Sequence, residues 1–323
     1  MIGSNRGGSA LLLAIVLPCF NEGESIPHVA IRLTALIGEL VADGEISGDS
    51  YLFFVDDGSG DDSWSIIEGL HGHNPAIKGM KLSRNFGHQA ALLAGLSEVR
   101  GTCDATVSID CDLQQDPEAI REFISELKQG ADIVLGVRKD RESDSWFKQK
   151  TAMVFYGLMK VLGVDIVPNH ADYRLLSRRA MDALAQFPES NVFLRAICLQ
   201  LGFRVATVFF DVLERQYGTT KYSLRKMLRL ALHGVTSFSV APLRLVTVIG
   251  LLLFLFSICM GGYVVWRTLL VGDTVPGWAS TALPIYFIGG IQLLCLGVVS
   301  EYIGHIYTTV KNRPRWICER KLD

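Results

Sequence analysis

Two long runs without an ionisable side chain constrain this chain more than any other feature. Residues 245–265 (LVTVIGLLLFLFSICMGGYVV) and 278–300 (WASTALPIYFIGGIQLLCLGVVS) contain no Asp, Glu, Lys, Arg or His. Each exceeds the roughly 18 apolar residues that cross a hydrocarbon layer. Helices buried in a large soluble core are the alternative, but such helices are shorter and more often interrupted by charge. The segment between the runs is short, so two spanning helices would form a hairpin with both ends on one side. Arg215, Lys221, Arg225, Lys226, Arg229 and Arg244 precede the first run, and Lys311, Arg313, Arg315, Arg320 and Lys321 follow the second. Arg267 is the one basic residue between them. The positive-inside bias therefore places the N-terminal region and the C-terminus in the cytoplasm, making an integral inner-membrane protein of two spans.

The apolar excess is local. Of the 323 residues 49% are hydrophobic, and the formal net charge of −2 points to no nucleic-acid partner. The N-terminal apolar run stops at Pro18 and continues into a charged motif without a small-residue cleavage site, so a buried first strand is expected rather than a signal peptide. Seven cysteines include no CxxC pair, which fits reduced thiols in a cytosolic domain and offers no zinc site.

From residue 11 to 137 apolar strands alternate with helical patterns. The strand candidates are residues 11–17, 51–55, 77–83, 105–109 and 132–137. Helical patterns fill the gaps, as at 25–41 and 117–129. This rhythm predicts an α/β fold with a mostly parallel sheet covered on both faces. Such sheets bind ligands beyond the C-terminal ends of their strands. All five candidate strands end in polar groups: Asn21 and Glu22, Asp56 to Ser59, Arg84 and Asn85, Asp110 to Gln114, and Arg138. A purely structural sheet has no need of them.

Asp110-Cys111-Asp112 places two carboxylates on a strand-end turn with Gln114 just beyond, an oxygen-donor set for Mg²⁺ or Mn²⁺ that also holds substrate phosphates. A diphosphate leaving group needs such charge neutralisation. The run Asp56-Asp57-Gly58-Ser59 suits a turn, and Asn21 and Glu22 suit a helix cap; both could also face a nucleotide. Residues 222–238 align Leu224, Met227, Leu228, Ala231, Val235 and Phe238 on one helical face with Arg225, Lys226 and Arg229 off it, the pattern of a helix lying along a membrane surface.

The strings VLPCFNE, FVDDGSGDDS, LSRNFGHQAALLAG and SIDCDLQQDPE, in this order, resemble the family 2 inverting glycosyltransferases of GT-A fold. DSWFKQ, ADYRLLSR, GTTKYSLRKML, SFSVAPLR and EYIGHIYTTVKNRPRW narrow the resemblance to the polyisoprenyl-phosphate glycosyltransferases, over about residues 12–316. That group includes the dolichol-phosphate mannose synthases and the undecaprenyl-phosphate glucosyl and aminoarabinosyl transferases. The resemblance implies a GT-A domain over 1–215, interface helices over 216–242, a transmembrane hairpin over 243–303 and a basic cytoplasmic tail over 304–323. It implies transfer of a sugar, best matched by glucose from UDP-glucose, to undecaprenyl phosphate for cell-envelope glycan modification. Other donors for the same reaction are UDP-N-acetylglucosamine, UDP-galactose, GDP-mannose and an aminoarabinose nucleotide.

By the same resemblance Pro18, Asn21, Glu22, Asp57, Arg84 and Asp110 match nucleotide-donor positions, and Asp110, Asp112 and Gln114 match metal positions. Asp112 and Asp172 match catalytic positions. Arg138, Lys148, Arg174, Arg215 and Lys221 are candidates for the acceptor phosphate, and a homo-oligomer, a tetramer in this family, is implied. Two departures stand out: His170-Ala171 precedes the acidic residue where the family has Gly, and Cys111 replaces Ala within the DxD. A processive polysaccharide synthase is the alternative enzyme, but it needs QxxRW on the cytoplasmic domain and more spans. Here NRPRW (312–316) follows the last apolar run. An inactive scaffold of the same fold would not need the full set of carboxylates.

Overall fold

A computed structural model describes residues 10–112, 114–139, 170–187, 194–211, 241–266, 278–311 and 313–323. The expected Lys148, Arg215 and Lys221 lie outside them, as does the amphipathic segment 222–238. The described chain forms two compact units. The first includes residues 314–323 together with the N-terminal region, and the second contains the apolar helices.

The first unit is one eight-stranded sheet. Its strands are β1 (Leu13–Cys19), β2 (Tyr51–Asp56), β3 (Ile77–Leu82), β4 (Ala105–Ser108), β5 (Ile133–Arg138), β6 (His170–Ser177), β7 (Val205–Phe210) and β8 (Cys318–Leu322). They lie in the order β7-β5-β6-β4-β1-β2-β3-β8. The pairs β1–β2, β1–β4, β2–β3 and β5–β7 are parallel. Parallel strands need crossovers, and the helices α1 (Ile26–Ala42), α2 (Ser63–His73), α3 (His88–Val99) and α4 (Ala119–Lys128) supply them. The short helices α5 (Arg178–Leu184) and α6 (Leu194–Gln200) follow β6.

Both faces of the sheet are covered, which is why the strands read as continuous apolar runs instead of alternating. Every residue of β1 and β2 is buried. Leu13, Ile15 and Leu17 join the cluster built by Ile26, Val29, Leu33 and Leu40 of α1 with Ile120, Phe123 and Ile124 of α4. The alternate residue Val16 faces α3, where Gly95 leaves no room for a side chain: a Cβ there would stand 2.5 Å from Val16 Cγ1 and 2.8 Å from Val55 Cγ2.

The sheet departs from a parallel arrangement at β6 and β8. Strand β6 runs antiparallel between β4 and β5, with Ser108 opposite Arg174 and Leu135 opposite Arg174 on the other side. Its beginning therefore lies beside the ends of its neighbours. Strand β8 pairs antiparallel with β3, Gly79 opposite Leu322 and Met80 opposite Lys321. The C-terminal residues expected as a basic tail thus cap the sheet edge instead. Their cations find acids there: Lys321 Nζ lies 2.6 Å from Glu98, and Arg320 lies 3.3 Å from Glu68. Arg315, expected as part of a charged membrane flank, donates to the Phe187 carbonyl.

The second unit contains α7 (Ala241–Trp266) and α8 (Trp278–Val310). Helix α8 runs ten residues past the expected end at Ser300, through Glu301 and His305, and contains Pro284. Within it Phe287–Gly304 is long and apolar enough to cross a membrane, with mean hydropathy 1.5. Among the described residues this is the one segment that meets both measures. Large apolar side chains stand exposed on both helices, Leu252 and Phe256 on α7 and Phe287 and Leu293 on α8.

Gly95→Ala tests the packing of α3. Alanine gains about 1 kcal/mol in helix propensity, yet overpacking against Val16 and Val55 costs about 1–3 kcal/mol. The melting temperature of the detergent-solubilised variant is expected to fall, not rise.

Candidate active site

Three strand-end loops are tied together before any ligand arrives. After β1, the Asn21 backbone sits in the left-handed region (φ 55), which Asn tolerates better than most residues. There the Asn21 N–H donates to Ser59 Oγ at 2.9 Å, and its side-chain oxygen accepts from the Gly60 N–H at 2.9 Å. The Glu22 N–H donates to Ser63 Oγ at 3.0 Å, and the Gly23 N–H to Asp61 at 3.2 Å. After β2, Asp57 reaches across to the third loop, accepting from the Phe86 N–H at 2.7 Å and the Gly87 N–H at 2.9 Å. The second and third loops approach so closely at Gly58 (φ 67) that a Cβ there would lie 2.4 Å from the backbone carbon of Arg84. Only glycine meets both demands.

This lacing redefines several expected donor residues. Asp57 is 2% exposed with both oxygens engaged, and Pro18 is buried inside β1, so neither offers surface to a ligand. Burial pushes the Asp57 carboxyl above the ordinary carboxylate value, with the two N–H donors offsetting only part of that rise. Asp56 is raised by burial as well, against the hydrogen bonds from Ser59. Of the expected donor residues, Asn21 and Arg84 are exposed, the Arg84 guanidinium lying 4.0 Å from the Phe86 ring centroid, and Glu22 is half-buried.

At the end of β4 the DxD turn opens. Asp110 is clasped by a residue the sequence reading passed over: Gln115 Nε2 donates to Asp110 Oδ2 at 2.7 Å, and the Asp110 N–H donates to Gln115 Oε1 at 3.0 Å. Gln114, expected as a metal ligand, donates its backbone N–H to Asp112 Oδ1 at 3.1 Å and so shapes the same turn. Strand β6 brings Asp172 to this point. Asp172 and Arg174 are two residues apart on one strand and so share a face, while Tyr173 points into the core. The Tyr173 ring packs 4.6 Å from Phe123 and 5.2 Å from Phe210, and its hydroxyl donates to the Asp116 carbonyl at 3.0 Å.

Arg174 was expected at the acceptor phosphate, but its side chain is fully buried. Its guanidinium donates to Asp172 Oδ1 at 2.6 Å and lies 3.6 Å from Cys198 Sγ. A buried guanidinium cannot reach a ligand phosphate; it holds the carboxylate of Asp172, which is 12% exposed.

The other missed residue is His88, the first residue of α3. Its Nε2 lies 3.5 Å from Asp110 Oδ1 and 3.8 Å from Asp172 Oδ2. Its only sequence signal was a position just past a polar strand end. Burial raises the Asp110 carboxyl above its ordinary value; Asp172 and Asp112 raise it further, while His88 and Arg138 pull it back. Arg138, half-buried at the end of β5, is thus the expected acceptor cation that bears on Asp110, while the buried Arg174 bears on Asp172. Asp172 and Asp112 each repel the Asp110 carboxylate, and that repulsion suits the arrival of a cation.

Replacing Asp57 tests the lacing. Asp57→Ala strands two backbone N–H groups and is expected to cost about 1–3 kcal/mol for each left unsatisfied. Asp57→Asn keeps one acceptor and should cost less. Thermal melts, with limited proteolysis at residues 84–88, read both effects.

Residues 14–185 match the family described as glycosyl transferase family 2, and residues 241–306 match one described as a GtrB C-terminal hairpin. The uncharacterized glycosyltransferase YkoT of Bacillus subtilis (strain 168) is 45% identical over 305 residues, spanning 94% of this chain and 90% of that protein. The SfII prophage-derived bactoprenol glucosyl transferase of Shigella flexneri is 39% identical over 309 residues, spanning 95% and 97%. Among solved structures, glucosyl-3-phosphoglycerate synthase from Mycobacterium tuberculosis has the same fold, with a TM-score of 0.50 and 20% identity over 73% of this chain and 81% of that one. On the family match and the near full-length relatives, this chain belongs to glycosyltransferase family 2.

Proposed function

We propose that this enzyme transfers a glucosyl group from UDP-glucose to a polyisoprenyl phosphate at the cytoplasmic face of a membrane. The observation that carries the reading is the meeting of Asp110 and Asp172, brought from different strands to one point at the C-terminal edge of the sheet. The glucosyl acceptor reading draws on relatives named bactoprenol glucosyl transferase, which this chain matches over nearly its whole length.

In the reaction an acceptor phosphate oxygen bonds to the anomeric carbon while the bond from that carbon to the donor diphosphate breaks. The electron pair leaves with the nucleoside diphosphate, and the sugar inverts. A phosphate monoester has a second pKa of about 6, so the acceptor is largely dianionic at neutral pH and little proton removal remains. Asp172, held from behind by Arg174, therefore serves to orient the sugar more than to remove a proton. Arg138 supplies a cation for the acceptor phosphate. Lys148, Arg215 and Lys221 are further candidates from outside the described residues.

The donor set fits a divalent cation. Asp110 and Asp112 offer hard oxygen ligands, and the Asp110 carboxyl, raised first by burial and then by the neighbouring Asp172 and Asp112, would gain from a cation. Among the described residues no three His, Cys, Asp or Glu side chains form a metal cluster. Mg²⁺ or Mn²⁺ would be held by one or two carboxylates, with Gln114 and donor phosphates completing the shell. When bound, the ion would neutralise the departing diphosphate.

Two crossings of the membrane are supported by connectivity. Strands β7 and β8 flank the apolar helices in sequence and belong to the same sheet, which supports a chain that leaves and returns on one side. The match of residues 241–306 to a C-terminal hairpin family supports the same reading.

The purified chain with undecaprenyl phosphate, UDP-glucose and Mg²⁺ or Mn²⁺ is expected to form a lipid-linked glucose. Product from another nucleotide sugar, and none from UDP-glucose, reassigns the donor. Asp112→Ala should abolish transfer with the melting temperature kept, a loss of several kcal/mol in transition-state stabilisation. Asp172→Asn should be milder, and recovery of its activity at high pH would instead mark Asp172 as a base. Arg138→Ala should raise KM for the lipid phosphate while nucleotide affinity, measured by calorimetry, stays near wild type.

A further inference from the structure

Both carboxylates at the centre of the site have one oxygen held from behind. Gln115 holds Asp110 Oδ2, and Arg174 holds Asp172 Oδ1. The remaining oxygens, Asp110 Oδ1 and Asp172 Oδ2, face the same atom, His88 Nε2, at 3.5 and 3.8 Å. The first distance is at the outer limit of hydrogen bonding and the second lies beyond it; both are within ion-pair reach of a protonated imidazole. The backbone that carries the imidazole is held by its surroundings. It follows Gly87, whose N–H is gripped by Asp57, and it starts α3, whose packing against Val16 and Val55 leaves Gly95 no slack. His88 thus joins a carboxylate on the β4 turn to one on β6, and does so from a third element.

We propose that His88 is a positioning residue whose Nε2 sets the separation of Asp110 and Asp172, holding the donor side and the transfer side of the site in register. This rests on the function proposed above. It goes beyond that reading by giving a role to a side chain outside the carboxylate set. The same contact makes His88 a competitor of an incoming cation for Asp110 Oδ1. Removing the imidazole therefore has two opposite effects: the two carboxylates lose their spacer, and the cation loses its rival.

The full-length chain in detergent tests this with His88→Ala and with His88→Gln, which keeps a side-chain N–H. His88 is 43% exposed, so neither variant should disturb folding, and melting temperatures check that. In His88→Ala, kcat should fall about 10- to 100-fold, the scale of a slightly misplaced reacting group, with KM for the nucleotide donor nearly unchanged. Mn²⁺ binding without donor, followed by electron paramagnetic resonance, should tighten about 2- to 5-fold, the scale of one partly exposed charge contact. His88→Gln should recover most of the lost turnover. The proposal is overturned if kcat is unchanged, if glutamine recovers nothing, if only donor KM rises, or if Mn²⁺ binding weakens together with kcat as a purely structural loss would make it. The Mn²⁺ measurement needs no acceptor. A wild-type chain that binds Mn²⁺ but transfers nothing to polyisoprenyl phosphate overturns the proposed function and leaves the His88 contact to be judged by its effect on Mn²⁺.

Discussion

A guanidinium with no exposed surface must be paired with an anion, and in this protein the anion is Asp172. The pair is costly to bury and more costly to break: removing one partner of such a pair forfeits about 3–5 kcal/mol. Because the two residues stand two apart on β6, the strand itself sets their geometry. Because β6 runs antiparallel between β4 and β5, the strand delivers Asp172 to the end of β4, where Asp110 waits. Had β6 been parallel to its neighbours, its beginning would lie at the opposite edge of the sheet. The Tyr173 ring, wedged between Phe123 and Phe210, prevents the strand from sliding. A one-residue slip would exchange the faces of Asp172 and Tyr173.

Around this pair the site is organised mostly by hydrogen bonds to backbone. Ser59, Ser63, Asp61 and Asp57 spend their side chains on the N–H groups of neighbouring loops. Polar strand ends in such a fold thus divide into groups that build the rim and groups left to act on a ligand. The division matters energetically because catalysis by electrostatics depends on dipoles fixed in advance, which do not have to reorganise during the reaction. A rim tied at Asn21, Asp57 and Gly58 carries that requirement for the carboxylates it surrounds.

The C-terminal strand links the sheet to the apolar helices through connectivity alone. An exposed edge on β3 would be a template for unwanted pairing, and β8 covers it with residues that come from beyond the helices. The segment carries Arg315, Arg320 and Lys321, charges that a count of flanking cations assigns to the membrane surface. Two of the three have acidic partners on the first unit, and the third has a backbone carbonyl there.

Period and composition were enough to read the alternating strands and helices from residue 11 to 137, because a sheet covered on both faces demands unbroken apolar runs. The polar strand ends were legible for the same reason: they interrupt those runs abruptly. The DxD turn and Asp172 were reached through ordered motifs. What the linear chain does not encode visibly is which end of β6 meets β4, since antiparallel insertion is a pairing decision between residues more than 60 positions apart. That decision turned Arg174 from a surface cation into a buried clasp and brought His88 to within 4 Å of two acids. It likewise made the last residues a strand, because the vacant partner for CERKL is the edge of β3, and only the folded sheet has an edge.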